Sequence, residues 1–166
     1  MKRFFLVLTV LSVFIISGVR AQEMIAGDKL LSVGLGFIPG IGINASYDYG
    51  LIEDWGPGIF TVGGFVGLQS WGTSQTGLGN YRANIFAFAA RATYRYDIDE
   101  SLEIYGTFML GPYFVNDSYK TFQNNHSGPF FGIGFGGRYH LSGNISAFAE
   151  IGYNISALSI GLSIAL

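Results

Sequence analysis

The 166-residue sequence contains no cysteine, which excludes a disulfide framework and a lipid-modified N-terminal cysteine. Only two histidines, His126 and His140, are present, so a metal site built on His and Cys is not expected, nor is any cofactor. Charged residues make up 12% of the chain, against about 25% in an ordinary soluble domain, so roughly half of the usual polar coat is missing. No segment carries a convincing helical period. The longest apolar run, Phe4 to Ile16, is shorter than the ~20 residues a spanning helix requires. The glycine-dense piece Gly134 to Gly137 is not a phosphate loop, because no Lys-Ser/Thr follows it and no helix opens there.

What is present is alternation. In the last stretch, Leu158 to Leu166, the large residues Leu158, Ile160, Leu162, Ile164 and Leu166 share one parity, and Ser159, Gly161, Ser163 and Ala165 share the other. Successive strand side chains point to opposite faces, so this is a strand with one apolar and one small, mildly polar face. The same pattern recurs upstream in Leu30–Ile38, Ile41–Tyr49, Phe60–Leu68, Ile85–Tyr96, Leu102–Gly111, Phe131–His140 and Ile145–Tyr153. That makes eight strands of about ten residues, the length a tilted membrane strand needs. Turns at Pro39-Gly40, Glu53 to Gly58, Asp97 to Ser101 and Ser142-Gly143-Asn144 separate them, and Gly72–Asn80 and Asn116–Gly128 are expected to be the two long loops.

Met1 to Ala21 has the form of a secretory signal peptide. Lys2 and Arg3 are its basic start, Phe4 to Ile16 its apolar run and Val19-Arg20-Ala21 its cleavage site, leaving residues 22–166 as one barrel domain. Without Lys2, Arg3 and Arg20, six of the nine basic residues remain against eleven acidic ones. The resulting formal charge of −5 gives no support for nucleic-acid binding.

The strand charges Asp48, Arg91, Arg95, Glu103, Arg138 and Glu150 all fall on the parity opposite their strand's large apolar residues. A basic side chain facing mid-bilayer lipid costs ~2–4 kcal/mol, so this segregation is what lipid exposure selects. A soluble sandwich would add many polar residues on its water side, whereas here that parity is mostly Gly, Ala and Ser. The six charges are therefore expected to meet in a narrow lumen as an ion-pair network, with Arg91 or Arg95 near Glu103 and Arg138 near Glu150. Aromatic residues cluster at strand ends: Tyr47, Tyr49, Trp55, Tyr94, Tyr96 and Tyr139 on the N-terminal side, and Trp71, Tyr81, Tyr113 and Tyr153 on the other. Two such bands read as an interfacial girdle. The fold expected is an all-β, eight-stranded antiparallel up-and-down transmembrane barrel, monomeric, closed by pairing of the first and last strands.

The runs AGDKLLSVGLGF, VGGFVGLQS, FFGIGFGGRYHL and ISAFAEIGYNISALSIGLSIAL resemble small outer-membrane β-barrel proteins common in Bacteroidota, with OmpX-like architecture. The resemblance spans the mature chain and implies a cell outer-membrane location. Outer-membrane lipid and, during biogenesis, the outer-membrane assembly machinery are the partners it implies. Members commonly end on Phe, whereas this chain ends on Leu166. It implies no assigned activity. Some outer-membrane barrels are lipid-modifying enzymes using His, Ser and an acid, but His140 falls on the lumen parity and His126 has only Asp117 near it in sequence. A non-enzymatic barrel with a plugged lumen, acting through its outer loops, is the expected function. A narrow porin-like channel and a soluble lipocalin-like binder are the alternatives.

Overall fold

The structure, a computed structural model, describes residues 25–52, 56–75, 79–119 and 122–166, with side chains from 73 to 81 and from 118 to 125 left aside. The expected signal peptide and Trp55 lie outside the described residues. Eight strands follow in order: β1 (Lys29–Phe37), β2 (Ile41–Ile52), β3 (Ile59–Gln75), β4 (Gly79–Asp97), β5 (Leu102–Tyr119), β6 (Phe122–Ser142), β7 (Ile145–Tyr153) and β8 (Leu158–Ala165). Each pairs antiparallel with its sequence neighbours, and β1 pairs with β8 from Leu30 opposite Ala165 to Phe37 opposite Leu158. The sheet closes into a barrel. Closure matters because an open edge would leave backbone donors and acceptors unsatisfied in an apolar surround.

The alternation sorts side chains as the sequence implies. Along β1 the burial runs strictly out and in, with Leu31, Val33 and Leu35 outside and Leu30 and Ser32 inside. Ile43, Leu68, Phe88, Phe108, Leu110, Phe131, Ile133, Phe135, Ile151, Ile160 and Leu162 extend an exposed apolar belt around the wall. The interior, not the outside, is where polar groups are buried.

Strand lengths correct one expectation. The described parts of Gly72–Asn80 and Asn116–Gly128 are strand rather than loop: β3 and β4 stay paired out to Gln75 opposite Gly79, and β5 and β6 out to Tyr119 opposite Phe122. The four central strands have 17, 19, 18 and 21 residues, while β1, β7 and β8 have 9, 9 and 8. The backbone ladder continues where the apolar alternation stops, so a polar composition there marks the end of the apolar belt rather than the end of the strands. The result is a four-stranded panel, β3 to β6, standing beyond the rim on the side away from the termini. Beyond Ser70, β3 has no register partner on β2, and before Ile133, β6 has none on β7.

The lumen is filled in two layers. Toward the far end lie Phe65, Ala87, Ala89, Met109, Phe130 and Ile155, with Ile85 and Tyr113 packed against them. Toward the terminal end lie the six charges. Large and small residues alternate across both layers, as a cramped barrel interior requires. Gly136 faces Tyr105 so closely that a Cβ there would stand 2.3 Å from the ring's Cζ and 2.8 Å from the Ala149 carbonyl oxygen. At Gly106, on the outer wall, an added Cβ would meet only the Phe135 ring, at 3.6 Å. Gly136→Ala is therefore expected to lower stability by about 1–3 kcal/mol through overpacking, and Gly106→Ala to leave it nearly unchanged. Denaturant midpoints of the two variants in the same detergent check this.

Candidate functional site

The charged layer is assembled from five strands, each contributing by parity. Asp48 (β2), Arg91 and Arg95 (β4), Glu103 (β5), Arg138 (β6) and Glu150 (β7) are all buried, Asp48 completely. They form one unbranched chain of alternating sign. Glu150 Oε2 accepts from Arg91 Nη2 at 2.9 Å, and Arg91 Nε lies 3.6 Å from Asp48 Oδ1. Asp48 Oδ2 accepts from Arg95 Nη2 at 2.7 Å, and Glu103 Oε1 accepts from Arg95 Nη1 at 3.0 Å. The same Glu103 oxygen accepts from Arg138 Nη1. Three guanidinium groups face three carboxylates, so the layer is neutral as a set. An isolated charge in such a place would carry a desolvation cost of several kcal/mol.

The Nε donors are occupied too. Each arginine Nε donates to a hydroxyl: Arg91 to Thr93, Arg95 to Thr61 and Arg138 to Ser163. Ser163 in turn shares a 2.8 Å hydrogen bond with Ser32 across the β1–β8 seam. At the centre is Tyr105, whose ring centroid lies 5.9, 5.8 and 5.2 Å from the Cζ atoms of Arg91, Arg95 and Arg138. Cations within about 6 Å of an aromatic centroid are attracted by the ring quadrupole, so one phenol ring braces all three. Tyr105 was legible as an inward residue, but its role was not. The signal in the sequence was a bulky aromatic on the parity of Glu103; the structure sets it opposite Gly136.

The six charges come together, with one partner differing from the sequence expectation. Arg138 meets Glu103 rather than Glu150, and Glu150 instead reaches Arg91 across the lumen. The register explains it: Glu103 stands directly opposite Arg138, whereas Glu150 stands opposite Gly136.

The aromatic positions divide. Tyr47, Tyr49, Tyr96 and Tyr139 are exposed on the outer wall near the terminal end, and Tyr153 is exposed at the far end. Tyr94 is half-buried, its hydroxyl 3.4 Å from where a Cβ on Gly56 would stand. Trp71 and Tyr113 depart from the expected outer band. Because β3 and β5 continue, the alternation continues, placing Trp71 on the parity of Phe65 and Gln69 opposite buried Ala83. Tyr113 likewise turns inward onto the apolar layer. Tyr81 sits in β4 opposite Thr73, its side chain outside the described set. Far-end outer positions instead carry Phe86, Phe88 and Phe114, whose ring centroids are about 6.1–6.2 Å apart.

The two histidines serve separate local contacts. His126 lies edge-on to Tyr113, with Nδ1 4.0 Å from Asp117 Oδ2, and His140 Nδ1 shares a 2.9 Å hydrogen bond with Ser146 Oγ. Among the described residues, no group of three or more His, Asp or Glu is placed to hold a metal ion.

A closed eight-stranded barrel with an apolar outside and a charged inside is the architecture of transmembrane β-barrels. No protein-family model matches the chain, and no curated protein matches it in sequence. Solved structures do share the fold. The N-terminal β-barrel domain of OprF from Pseudomonas aeruginosa is similar at 14% identity over 85% of this chain and 98% of that one, with a TM-score of 0.62. A de novo designed transmembrane β-barrel is similar at 16% identity over 87% of this chain and all of that one, with a TM-score of 0.60. Ail, the attachment invasion locus protein of Yersinia pestis, is similar at 16% identity over 85% of this chain and 96% of that one, with a TM-score of 0.50.

Proposed function

We propose that this chain is an integral outer-membrane barrel with a closed lumen, non-enzymatic, whose dealings with other molecules run through the β3–β6 panel. The observation that carries the closed lumen is the unbroken chain from Glu150 to Arg138 lying under a second, apolar layer. An ion crossing the barrel would have to break charge pairs and then pass Phe65, Met109 and Phe130. The exposed apolar belt supports the membrane location, and the inward segregation of charge supports it independently. The Ser146–His140 contact does not favour hydrolysis, because Ser146 is 2% exposed and no substrate reaches it. The panel supports an interaction role: it is the part of the chain that leaves the apolar belt, and the short β1–β2 and β7–β8 connections do not screen it. As expected for a small barrel of this kind, the chain is proposed to be a monomer inserted by the outer-membrane assembly machinery.

Two measurements test the reading. Unboiled detergent samples are expected to migrate differently from boiled ones on a gel; no shift, with recovery in the aqueous fraction, overturns the membrane location. In planar bilayers the wild-type chain is expected to give no steady current, while Glu150→Gln, which leaves Arg91 with one carboxylate fewer, is expected to open intermittently. A steady ion-selective current in the wild type overturns the closed lumen and favours a narrow channel.

A further inference from the structure

The outer wall is not evenly covered. Over the charged layer it carries a groove with a cavity volume of about 760 Å³, walled by Tyr94, Tyr96, Ile104, Phe135 and Ile151 and floored by backbone at Gly106 and Gly137. The glycines of this floor differ from those lining the lumen. A Cβ on Gly106 would lie 3.6 Å from the Phe135 ring, and one on Gly137 would lie 3.8 Å from the Glu103 carbonyl oxygen, both ordinary contact distances. The barrel's own packing therefore does not require glycine at either place. Directly behind this floor stand Tyr105 and, against it, Gly136, so a single thickness of backbone separates the groove from the buried guanidinium groups.

The groove's surroundings identify its occupant. Ile104, Phe135 and Ile151 belong to the exposed apolar belt, which makes the groove continuous with the lipid-facing surface. At its base Tyr94 reaches the β2–β3 turn at Gly56 and Gly58, and Tyr96 and Tyr139 lie at the same level of the wall. Phenol rings favour the boundary between headgroups and hydrocarbon, so the groove starts at headgroup depth and rises into the apolar zone. We infer that it holds one acyl chain of a phospholipid in the leaflet nearer the termini, with the headgroup level with Tyr94 and Tyr96. The chain completes the wall where the protein provides no side chains, and keeps water off the backbone that covers the arginines. Hydrocarbon suits the site because its lining is almost wholly apolar, the hydroxyls of Tyr94 and Tyr96 lying at its base.

This inference rests on the membrane location proposed above, and the test separates the two. The mature chain is reconstituted in phosphatidylethanolamine and phosphatidylglycerol vesicles containing a small fraction of phospholipid with a diazirine in its acyl chain. After irradiation, lipid adducts are mapped by mass spectrometry. Adducts on the β5 and β6 peptides carrying Ile104 to Phe108 and Phe135 to Tyr139 are expected to exceed those on β1 several-fold. Gly106→Leu with Gly137→Leu, which fills the groove from positions where a side chain fits, is expected to bring them down to the β1 level while keeping the gel shift. Ala149→Leu, at the groove's other side, serves as a second filling variant if the double one fails to fold. Equal adduct yields on β1 and β5–β6 in wild type overturn the inference, as does enrichment that survives in a folded, filled variant. Protein–protein adducts through Phe135 or Ile151 in place of lipid adducts overturn it in favour of a second copy of the chain. Failure of the wild-type chain to float with the vesicles overturns the membrane location itself, and the inference with it.

Discussion

Glu103→Gln is expected to cost about 3–5 kcal/mol of stability, the largest loss of any single conservative change in the barrel. A single oxygen of Glu103, Oε1, accepts from two arginines, Arg95 and Arg138. Arg95 keeps Asp48 when Glu103 loses its charge, but among the described residues Arg138 forms no other ion pair. It would be left as a buried cation beside Tyr105 and the Ser163 hydroxyl. The amide retains shape and one acceptor, so the loss measures charge rather than packing. Adding Arg138→Met should return part of it, because removing the stranded cation also removes its desolvation cost. The check is a denaturant midpoint in detergent micelles, read by gel shift. A loss under 1 kcal/mol for Glu103→Gln would mean the layer is solvated rather than sealed.

Phe108→Arg is expected to cost about 2–4 kcal/mol in a bilayer, and Phe114→Arg nearer 0–1 kcal/mol. Both side chains are exposed on β5, but Phe108 sits in the middle of the apolar belt and Phe114 lies toward the panel. In a membrane the penalty for a cation depends on depth, falling toward the interfaces. On a soluble barrel neither exposed position would resist arginine, and both changes would lie within about 0.5 kcal/mol of neutral. Equilibrium unfolding from lipid vesicles distinguishes the two patterns, and equal small effects at both sites would overturn the membrane reading.

What could be read from the sequence and what could not follow from the same physics. Period-two alternation carries inside-versus-outside information residue by residue, so Asp48 and Glu150 could be placed in the lumen without coordinates. The closing pair, β1 with β8, followed from the need to leave no edge, and the register from Leu30 opposite Ala165 agrees with it. Partner choice inside the lumen was less accessible. It depends on the stagger between strands, and a two-residue offset sends Glu150 to Arg91 while Arg138 goes to Glu103. The panel was misread for a different reason. Outside the belt no lipid selects the alternation, so paired strands such as Asn116 to Tyr119 carry a loop-like composition. That error also displaced Trp71 and Tyr113, which could be assigned to a face only once their strands were known to continue.

The last strand raises a question of uniqueness. Its sequence is nearly a tandem copy, Leu-Ser-Ile-Gly followed by Leu-Ser-Ile-Ala over Leu158 to Ala165. A slip of one residue would turn the strand inside out, but a slip of four would return serine to serine and isoleucine to isoleucine wherever the two copies overlap. Over that overlap, alternation by itself cannot choose the registration. The choice falls to Gly161, where a methyl would stand 2.7 Å from the Phe148 ring and 2.1 Å from the Val33 carbonyl oxygen. Sliding β8 by four residues in one direction brings Ala165 to that place, and in the other direction Ala157. Either decoy registration meets a methyl group where only hydrogen fits. Gly161 thereby penalises both shifted registrations at the seam.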